Sequence, residues 1–342
     1  MSADIHIREN GIASMAYRGQ TPWHSDCNVI NPEDTPEQIS EKCGFNFSLI
    51  GRKAGYVDPA GSFVSVEGKQ VVTRSDTGAA IGVVGERYKF HQPKEILDFF
   101  LSYGKQFNLD IETAGVLGRG ERYWALGRTE VDADLNGSGQ DIASLYALLA
   151  TACDGSMVTI AIPTAVRVVC ANTWKAALES DSVDKSKARQ SHRSAFSNER
   201  AAEGLGFDLD AAASVFHGQV NVIRQLNGIK VTDRLAASFF RALIRPSLVP
   251  SGVYSVAAFD GIKFNEGVDR EVRGFEALQE AYGNAPGARP GTARGLWEAT
   301  TYFIDHLRDS DNDSRFKSAV FGQGDEIKDR AWRYLLSIIE TA

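Results

Sequence analysis

The segment from 119 to 128 combines cationic and aromatic side chains in a pattern typical of single-strand nucleic-acid binding. Its members are Arg119, Arg122, Tyr123, Trp124 and Arg128. Proteins that bind single strands without sequence preference use cations along the phosphates and aromatic rings that stack on the bases. If 123–129 is a strand, Trp124, Leu126 and Arg128 share one face of it. The segment is a candidate nucleic-acid contact, and burial of Trp124 and Leu126 in a core is the alternative.

A second group of cations lies between 185 and 198. The sequence there, KSKARQSHRSAFSN, contains four cations and no acid. These cations are Lys185, Lys187, Arg189 and Arg193. Arg167 and Lys175, which come earlier in the chain, could extend one positive track along the protein. A solvated linker and ordinary surface charges are the alternative interpretations.

The composition is that of a globular protein, with 43% hydrophobic and 24% charged residues in 342. The net charge of −7 argues against a protein that is basic over its whole surface, although a basic groove can lie on an acidic protein. No run of about eighteen apolar residues lacks a charge or a turn former, so we expect no membrane span and no membrane partner. The N-terminus has no signal-peptide pattern, and the four cysteines are expected to be reduced. These features favour a cytoplasmic protein.

Residues that could support catalysis do not assemble into a known motif. The chain contains no phosphate-binding P-loop, no nucleophile elbow and no zinc helix of the His-Glu-x-x-His type. His24 is the best single catalytic candidate, but a packing or capping histidine is the commoner case. Cys27 and Cys43 with His24 give three potential ligands, one fewer than a closed zinc site needs. We therefore predict no catalytic residue, no metal and no cofactor, and an enzyme is the less favoured class.

The stretch from Ser144 to Leu178 carries the clearest fold signal. Two apolar runs flank Asp154-Gly155, a dipeptide that favours a hairpin turn. The second run ends near Asn172, whose short polar side chain predicts the beginning of a helix. Strands are also predicted for 111–117 and 123–129, which gives four strands and then a helix between 110 and 180.

Other elements are predicted from turn residues and apolar periodicity. Thr35 precedes a helix that begins at Pro36, and Pro93 begins another. Two short strands around Gly68 predict a hairpin, and 80–84 predicts a further strand. Four helices are predicted after 200, beginning near 212, 233, 293 and 327. The fold class is α+β, with an antiparallel sheet and packed helices in domain 1–200 and an α-helical region in domain 201–342.

Several short phrases occur in an order that resembles a known family. They are Thr21-Pro22-Trp23-His24, Gly82-Val83-Val84-Gly85 with Arg87-Tyr88, Asp154-Gly155-Ser156, Arg167-Val168-Val169-Cys170-Ala171-Asn172-Thr173, Gly291-Thr292, Asp305-His306 and Phe321-Gly322. They resemble the phage/plasmid-like protein family, a bacterial and phage domain of unknown function, from about 20 to 335. The resemblance implies a mobile-element setting and supplies no reaction.

The predicted order of strands and helix also resembles that of phage single-strand annealing proteins of the Rad52 and RecT type. That resemblance implies a ring or filament of identical subunits with DNA in a basic groove. Our leading hypothesis is a homo-oligomeric single-stranded DNA-binding protein, with strand annealing as its more specific form. A structural or regulatory component that binds proteins, with an interface around Trp297, Tyr302 and Phe303, is the alternative. A metal-dependent nucleic-acid enzyme is the third class.

Overall fold

The computed structural model describes residues 5–19, 27–104, 109–167, 172–175, 189–204, 209–249, 269–308 and 323–341. The strands in these ranges are β1 Met15–Tyr17, β2 Asn28–Val29, β3 Leu49–Val57, β4 Phe63–Arg74, β5 Ala80–Gly85, β6 Asp110–Leu117, β7 Arg122–Asp134, β8 Ile142–Ala152, β9 Thr159–Arg167, β10 Asn172–Lys175 and β11 Arg189–Gln190. The helices are α1 Pro36–Cys43, α2 Pro93–Tyr103, α3 Asn198–Gly204, α4 Leu209–Gly228, α5 Asp233–Ile244, α6 Asp269–Asn284, α7 Ala293–Tyr302 and α8 Gln323–Thr341. A 3₁₀ turn occupies Pro246–Leu248, and a π-helical turn at Phe303–Leu307 follows α7.

The strands form a large sheet and a small sheet. The large sheet has the order β10-β9-β8-β7-β6-β1-β2, and β11 pairs with β9. The small sheet has the order β3-β4-β5, and both of its pairings are antiparallel. Strands concentrate in the first half of the chain and helices in the second half, which confirms the predicted α+β class.

The chain divides into two compact units. The first contains Met1–Val131, Leu145–Thr164 and Ala177–Ala213, and the second contains Asp132–Ser144, Ala165–Ala176 and Ser214–Ala342. The predicted domains 1–200 and 201–342 stay a prediction.

The core of the first unit is built on one face of the sheet strands and on helix α2. Tyr123 and Ala125 of β7 are fully buried, as are Leu149 of β8 and Ile96 of α2. Phe99 and Phe100 on α2 meet edge to face, with ring centroids 5.4 Å apart. Burial of apolar surface at this level supplies the main favourable free energy of folding.

The beginnings of α1, α5 and α7 are fixed by threonine side chains. The Thr35 hydroxyl accepts the N–H of Gln38, whose side chain accepts the N–H of Thr35, so α1 begins with a reciprocal capping box. Thr232 accepts the Leu235 N–H and Thr292 accepts the Gly295 N–H, at the start of α5 and α7. The helix starts predicted at Pro36 and near 233 and 293 are confirmed.

The hairpin predicted around Gly68 is wrong. β4 is one continuous strand, and the chain reverses instead at 58–62, between β3 and β4. There Oδ1 of Asp58 accepts the N–H groups of Ala60 and Ser62, and Gly61 takes a φ of 83°. An aspartate that bonds the backbone two residues ahead favours a turn.

The helix predicted to begin near Asn172 is also contradicted over the described residues. Asn172–Lys175 forms β10, which lies beside β9 in the large sheet. Tertiary pairing with an open sheet edge outweighs the weak capping tendency of one asparagine. By contrast, the hairpin at Asp154-Gly155 is confirmed, because β8 and β9 are neighbours and Gly155 has a φ of 85°.

The second unit is organised around a fully buried arginine on α7. Arg294 donates to Oδ2 of Asp141 at 2.5 Å, to Oε1 of Glu298 at 2.6 Å and to the Leu135 carbonyl at 3.2 Å. Breaking such a pair by removing one partner would leave a buried charge uncompensated, which is strongly destabilising.

The helix proposed as a protein-binding surface is buried. Trp297 and Phe303 are each 5% exposed, and the Trp297 ring meets Trp332 of α8 edge to face at 4.9 Å. These aromatic side chains belong to the interior of the second unit.

None of the described helices is long and apolar enough to cross a membrane.

Candidate nucleic-acid interface

The candidate interface begins at the turn between β6 and β7. Gly118 and Gly120 take φ values of 61° and 111°, which side chains with a Cβ rarely adopt, so the chain reverses tightly around Arg119. The Arg119 N–H donates to Oε2 of Glu121 at 2.6 Å. This geometry leaves the Arg119 side chain exposed at the tip of the hairpin.

A buried arginine holds that turn in place. Arg74 donates to the Arg119 carbonyl at 3.0 Å and forms a two-bond pair with Asp76, at 2.9 and 2.7 Å. Its guanidinium lies 4.0 Å from the centre of the Phe47 ring and contacts Nε2 of His6 at 3.1 Å. Burial, together with the charge of Arg74, lowers the pKa of His6, so the imidazole is neutral beside the guanidinium.

The alternation along β7 sorts the predicted residues onto two faces. Tyr123 and Ala125 are completely buried, whereas Trp124 and Leu126 are partly exposed and Arg128 is exposed. Trp124 and Arg128 therefore share the outward face, as the strand prediction requires. This arrangement places an aromatic ring and a cation on one accessible strand.

Acidic residues accompany two of the cations on this hairpin. Arg122 is only 12% exposed and lies 3.8 Å from Oδ2 of Asp154. Arg128 faces Asp110 in the register of β6 and β7, and Asp110 also pairs with Arg18 at 3.4 Å. Arg119 and Arg128 are therefore the cations that the hairpin exposes, whereas Arg122 serves the local structure.

The second predicted group of cations is only partly described. Arg189 is exposed on β11, opposite Ile160 of β9, and Arg193 is exposed in the turn that follows. Because β8 separates β7 from β9, the two strand axes lie about 10 Å apart. Lys185 and Lys187 lie outside the described residues. Arg167 and Lys175 end β9 and β10, and nothing is described of their side chains.

A buried pair of histidines, which sequence reasoning missed, lies at the start of β9. Nε2 of His91 donates to the Ser194 carbonyl at 3.0 Å, so its Nδ1 accepts the Thr159 hydroxyl at 2.6 Å. Nδ1 of His192 donates to the Lys89 carbonyl at 2.9 Å. Thr151 links the hydrogen bonds of the two histidines, because its hydroxyl oxygen lies 2.6 Å from that of Thr159 and 3.4 Å from Nε2 of His192.

Burial keeps both rings neutral. The rings are 4.2 Å apart and their residues are 0% and 6% exposed. Burial, with the neighbouring His192, lowers the pKa of His91 to about 4, and burial also lowers the pKa of His192. Since almost no surface of either ring is accessible, the network is suited to fixing β8, β9 and the segment after β11 rather than to binding a substrate.

The other residues with catalytic potential occupy separate environments. Asp305 pairs with Lys328 at 2.5 Å, whereas His306 packs on the ring of Tyr302 at 4.6 Å. Cys43 is buried in the core of the first unit, and burial raises the pKa of its thiol to about 12. In the part of the chain that the structure describes, no group of three histidine, cysteine or acidic side chains could hold a metal ion. His24 lies outside that part.

These features define an α+β protein whose large sheet carries a hairpin with exposed cations and a half-buried tryptophan. The chain belongs to the family described as Domain of unknown function (DUF932), whose model matches residues 80–321. The match includes the β6–β7 hairpin and β11, and β3 and β4 precede it. No curated protein and no solved structure matches the chain.

Proposed function

We propose that the protein binds single-stranded DNA as a homo-oligomer, with strand annealing as the more specific form of this activity. The observation that carries the proposal is the outward face of β7. It presents the Trp124 ring and the Arg128 guanidinium on one strand, and Arg119 is exposed at the turn that precedes this strand. Stacking of bases on an aromatic ring and pairing of phosphates with cations suit a single strand, whose bases are free to stack.

The rigidity of the hairpin supports this role. Arg74 fixes the turn through the Arg119 carbonyl, and the hydroxyl of the buried Tyr123 donates to the His91 carbonyl. A binding surface that is held in place before the ligand arrives loses less conformational entropy on binding. Arg189 is exposed on β11, which pairs with β9, and Arg193 is exposed in the turn after β11. Both would extend the positive surface along the same strand of DNA.

The setting that we propose is a phage, plasmid or other mobile element, where replication and recombination expose single strands. This part of the proposal rests on the resemblance of the ordered sequence phrases to the phage/plasmid-like family. The comparison with annealing proteins of the Rad52 and RecT type rests on element order alone, and the strand at Asn172–Lys175 departs from that order.

Substitution of the proposed contact residues should weaken DNA binding in two distinguishable ways. Trp124→Ala removes one stacking platform and should lower affinity for a labelled oligonucleotide roughly tenfold, with little change in salt dependence. Arg119→Ala with Arg128→Ala should flatten the plot of log affinity against log salt by about 0.7 for each phosphate that the protein no longer neutralises. Fluorescence anisotropy at several salt concentrations measures both effects.

Arg273→Ala is the matched control, because Arg273 is an exposed arginine on α6 of the second unit. It should leave both the affinity and the slope unchanged. If the β7 variants bind DNA as the wild type does, the outward face of β7 is not the interface and the proposal loses its main support.

A further inference from the structure

The tip of the β3–β4 hairpin exposes apolar side chains on both of its faces. Tyr56 and Val57 are 58% and 66% exposed, and Phe63 is 58% exposed. Val57 faces Phe63 across the hairpin, whereas Tyr56 faces Val64 on the opposite side. Because both faces are accessible, this two-stranded tip has no core of its own, and such hairpins are marginally stable alone.

The apolar exposure is concentrated on the small sheet. Of the eleven large hydrophobic residues that are exposed in the described ranges, six lie on β3, β4 and β5. They are Ile50, Tyr56, Val57, Phe63, Val66 and Val83. Four of the six are β-branched, the side-chain type that packs well on sheet surfaces. A concentration of this kind on one small element marks a surface that packs against another protein.

The backbone of the tip is open to further pairing. Within the described chain, β3 pairs with β4 alone, so its other edge carries unpaired N–H and C=O groups. β4 pairs with β5 only from Lys69 onward, and just before that the Gly68 carbonyl accepts the Glu86 N–H, so β3 is the only strand that pairs with residues 63–65. An edge strand with exposed apolar side chains is a ready template for pairing with another chain.

Two charges, Arg52 on β3 and Asp58 directly after it, make a second copy of this chain the fitting partner. In a symmetric antiparallel pair with Gly55 of each copy at the two-fold axis, Arg52 of one copy faces Asp58 of the other. The pairing occurs twice by symmetry, so opposite charges meet at both ends of the paired segment. Among the described residues Arg52 makes no ion pair, and Asp58 uses only Oδ1, for the turn.

Gly55 also suits the centre of such a pair. A Cβ built at Gly55 would lie 2.3 Å from the Phe63 ring and 2.4 Å from the Val64 carbonyl oxygen, so the ring lies directly over the glycine backbone. In the symmetric pair the two Phe63 rings would therefore cover the two adjacent glycines. Burial of both rings would supply the apolar core that the isolated tip lacks, and Val57 of one copy would face the aliphatic stem of Lys53 of the other.

We infer that the β3–β4 hairpin is a self-association arm, through which two copies pair their β3 edges antiparallel around Gly55. This inference deepens the homo-oligomer part of the proposed function and depends on that part alone. It assigns the arm to a segment that precedes residues 80–321, the range matched by the family model.

A charge-swap experiment tests the register. Arg52→Asp should place two acids opposite each other, and Asp58→Arg should place two arginines opposite each other, so each variant alone should dissociate at least tenfold more readily than wild type. An equimolar mixture of the two variants should re-form the dimer, because both pairings in the mixed dimer join an arginine to an aspartate. Sedimentation velocity over a range of concentrations, without DNA, measures each species.

Arg87→Asp is the matched control, since Arg87 is exposed beside the small sheet and faces no acid in the proposed pair. It should keep the wild-type mass. Asp58→Asn removes the charge but retains the Oδ1 acceptor for the turn. Weaker association of this variant would therefore result from the lost charge and not from a disrupted turn.

A mixture that stays dissociated, or an Arg52→Asp variant that associates as wild type does, would overturn the arm. If Arg52→Asp lowers affinity for single-stranded DNA without changing the mass, the hairpin is a nucleic-acid contact instead and the self-association inference fails. If the charge-swap variants behave as predicted but the protein does not bind single-stranded DNA, the proposed function is overturned and the self-association arm stands.

Discussion

The two hairpins of the first unit, β6–β7 and β3–β4, differ in how they are supported. The β6–β7 hairpin buries one face against the core through Tyr123, and a buried arginine, Arg74, holds its turn. The tip of β3–β4 buries neither face and exposes Tyr56, Val57 and Phe63. A supported hairpin can present a few polar groups in fixed positions, whereas an unsupported hairpin with apolar faces is only marginally stable alone and gains stability when those faces are covered.

Truncation of one aromatic ring on each hairpin should show the largest difference. Tyr123→Ala removes a fully buried ring and its hydrogen bond to the His91 carbonyl, which should lower the free energy of unfolding by about 3–5 kcal/mol. Phe63→Ala removes a ring that is mostly exposed in the single chain and should cost less than about 1 kcal/mol. Urea unfolding of dilute protein, where the arms are unpaired, measures both.

Equal losses in the free energy of unfolding for the two variants would mean that the two hairpins do not differ in their support. A large loss for Phe63→Ala that grows with protein concentration would instead sharpen it, because pairing of the arms would then stabilise the folded chain.

Acid should weaken the supported hairpin through the buried histidines. The pKa of His91 is lowered to about 4 in the folded protein, so the unfolded chain, with an ordinary pKa near 6.5, takes up the proton first. The stabilising contribution is fully present above pH 6.5 and is lost as the pH falls from 6.5 toward 4. One such group changes the free energy of unfolding by about 1.4 kcal/mol per pH unit within that window.

Urea unfolding between pH 4 and pH 7 measures this slope. His91→Gln should flatten it, and His217→Gln, at an exposed position on α4, should leave it unchanged. A slope that is insensitive to His91→Gln would mean that His91 does not support the hairpin in the way proposed.

Local signals in the sequence were sufficient for much of the fold. The Asp154-Gly155 turn, the Thr35 cap and the alternation along β7 each depend on neighbouring residues, and all three are confirmed. The reversal at 58–62 and the strand at Asn172–Lys175 were missed. The reversal at 58–62 has a local cause, the turn that the Asp58 side chain bonds, whereas the strand at Asn172–Lys175 is decided by pairing with β9, which local propensity does not encode.

The candidate site was predictable only in part. The shared face of Trp124 and Arg128 follows from strand periodicity, but the involvement of Arg122 with Asp154 depends on a turn about thirty residues further along the chain. The pairing of His91 with His192 joins residues about one hundred positions apart, and only the position of His91 just before Pro93 gave a weak signal. Contacts between residues so far apart in the sequence depend on the whole fold and not on local sequence patterns.

The most direct test of the central claim is titration of labelled single-stranded and duplex DNA of equal length with the wild-type protein at several salt concentrations. The account predicts tighter binding to the single strand, with an affinity that falls steeply as salt increases, because exposed cations pair with phosphates while Trp124 stacks on unpaired bases. Absence of single-strand binding at low salt, or equal affinity for the duplex, would contradict it.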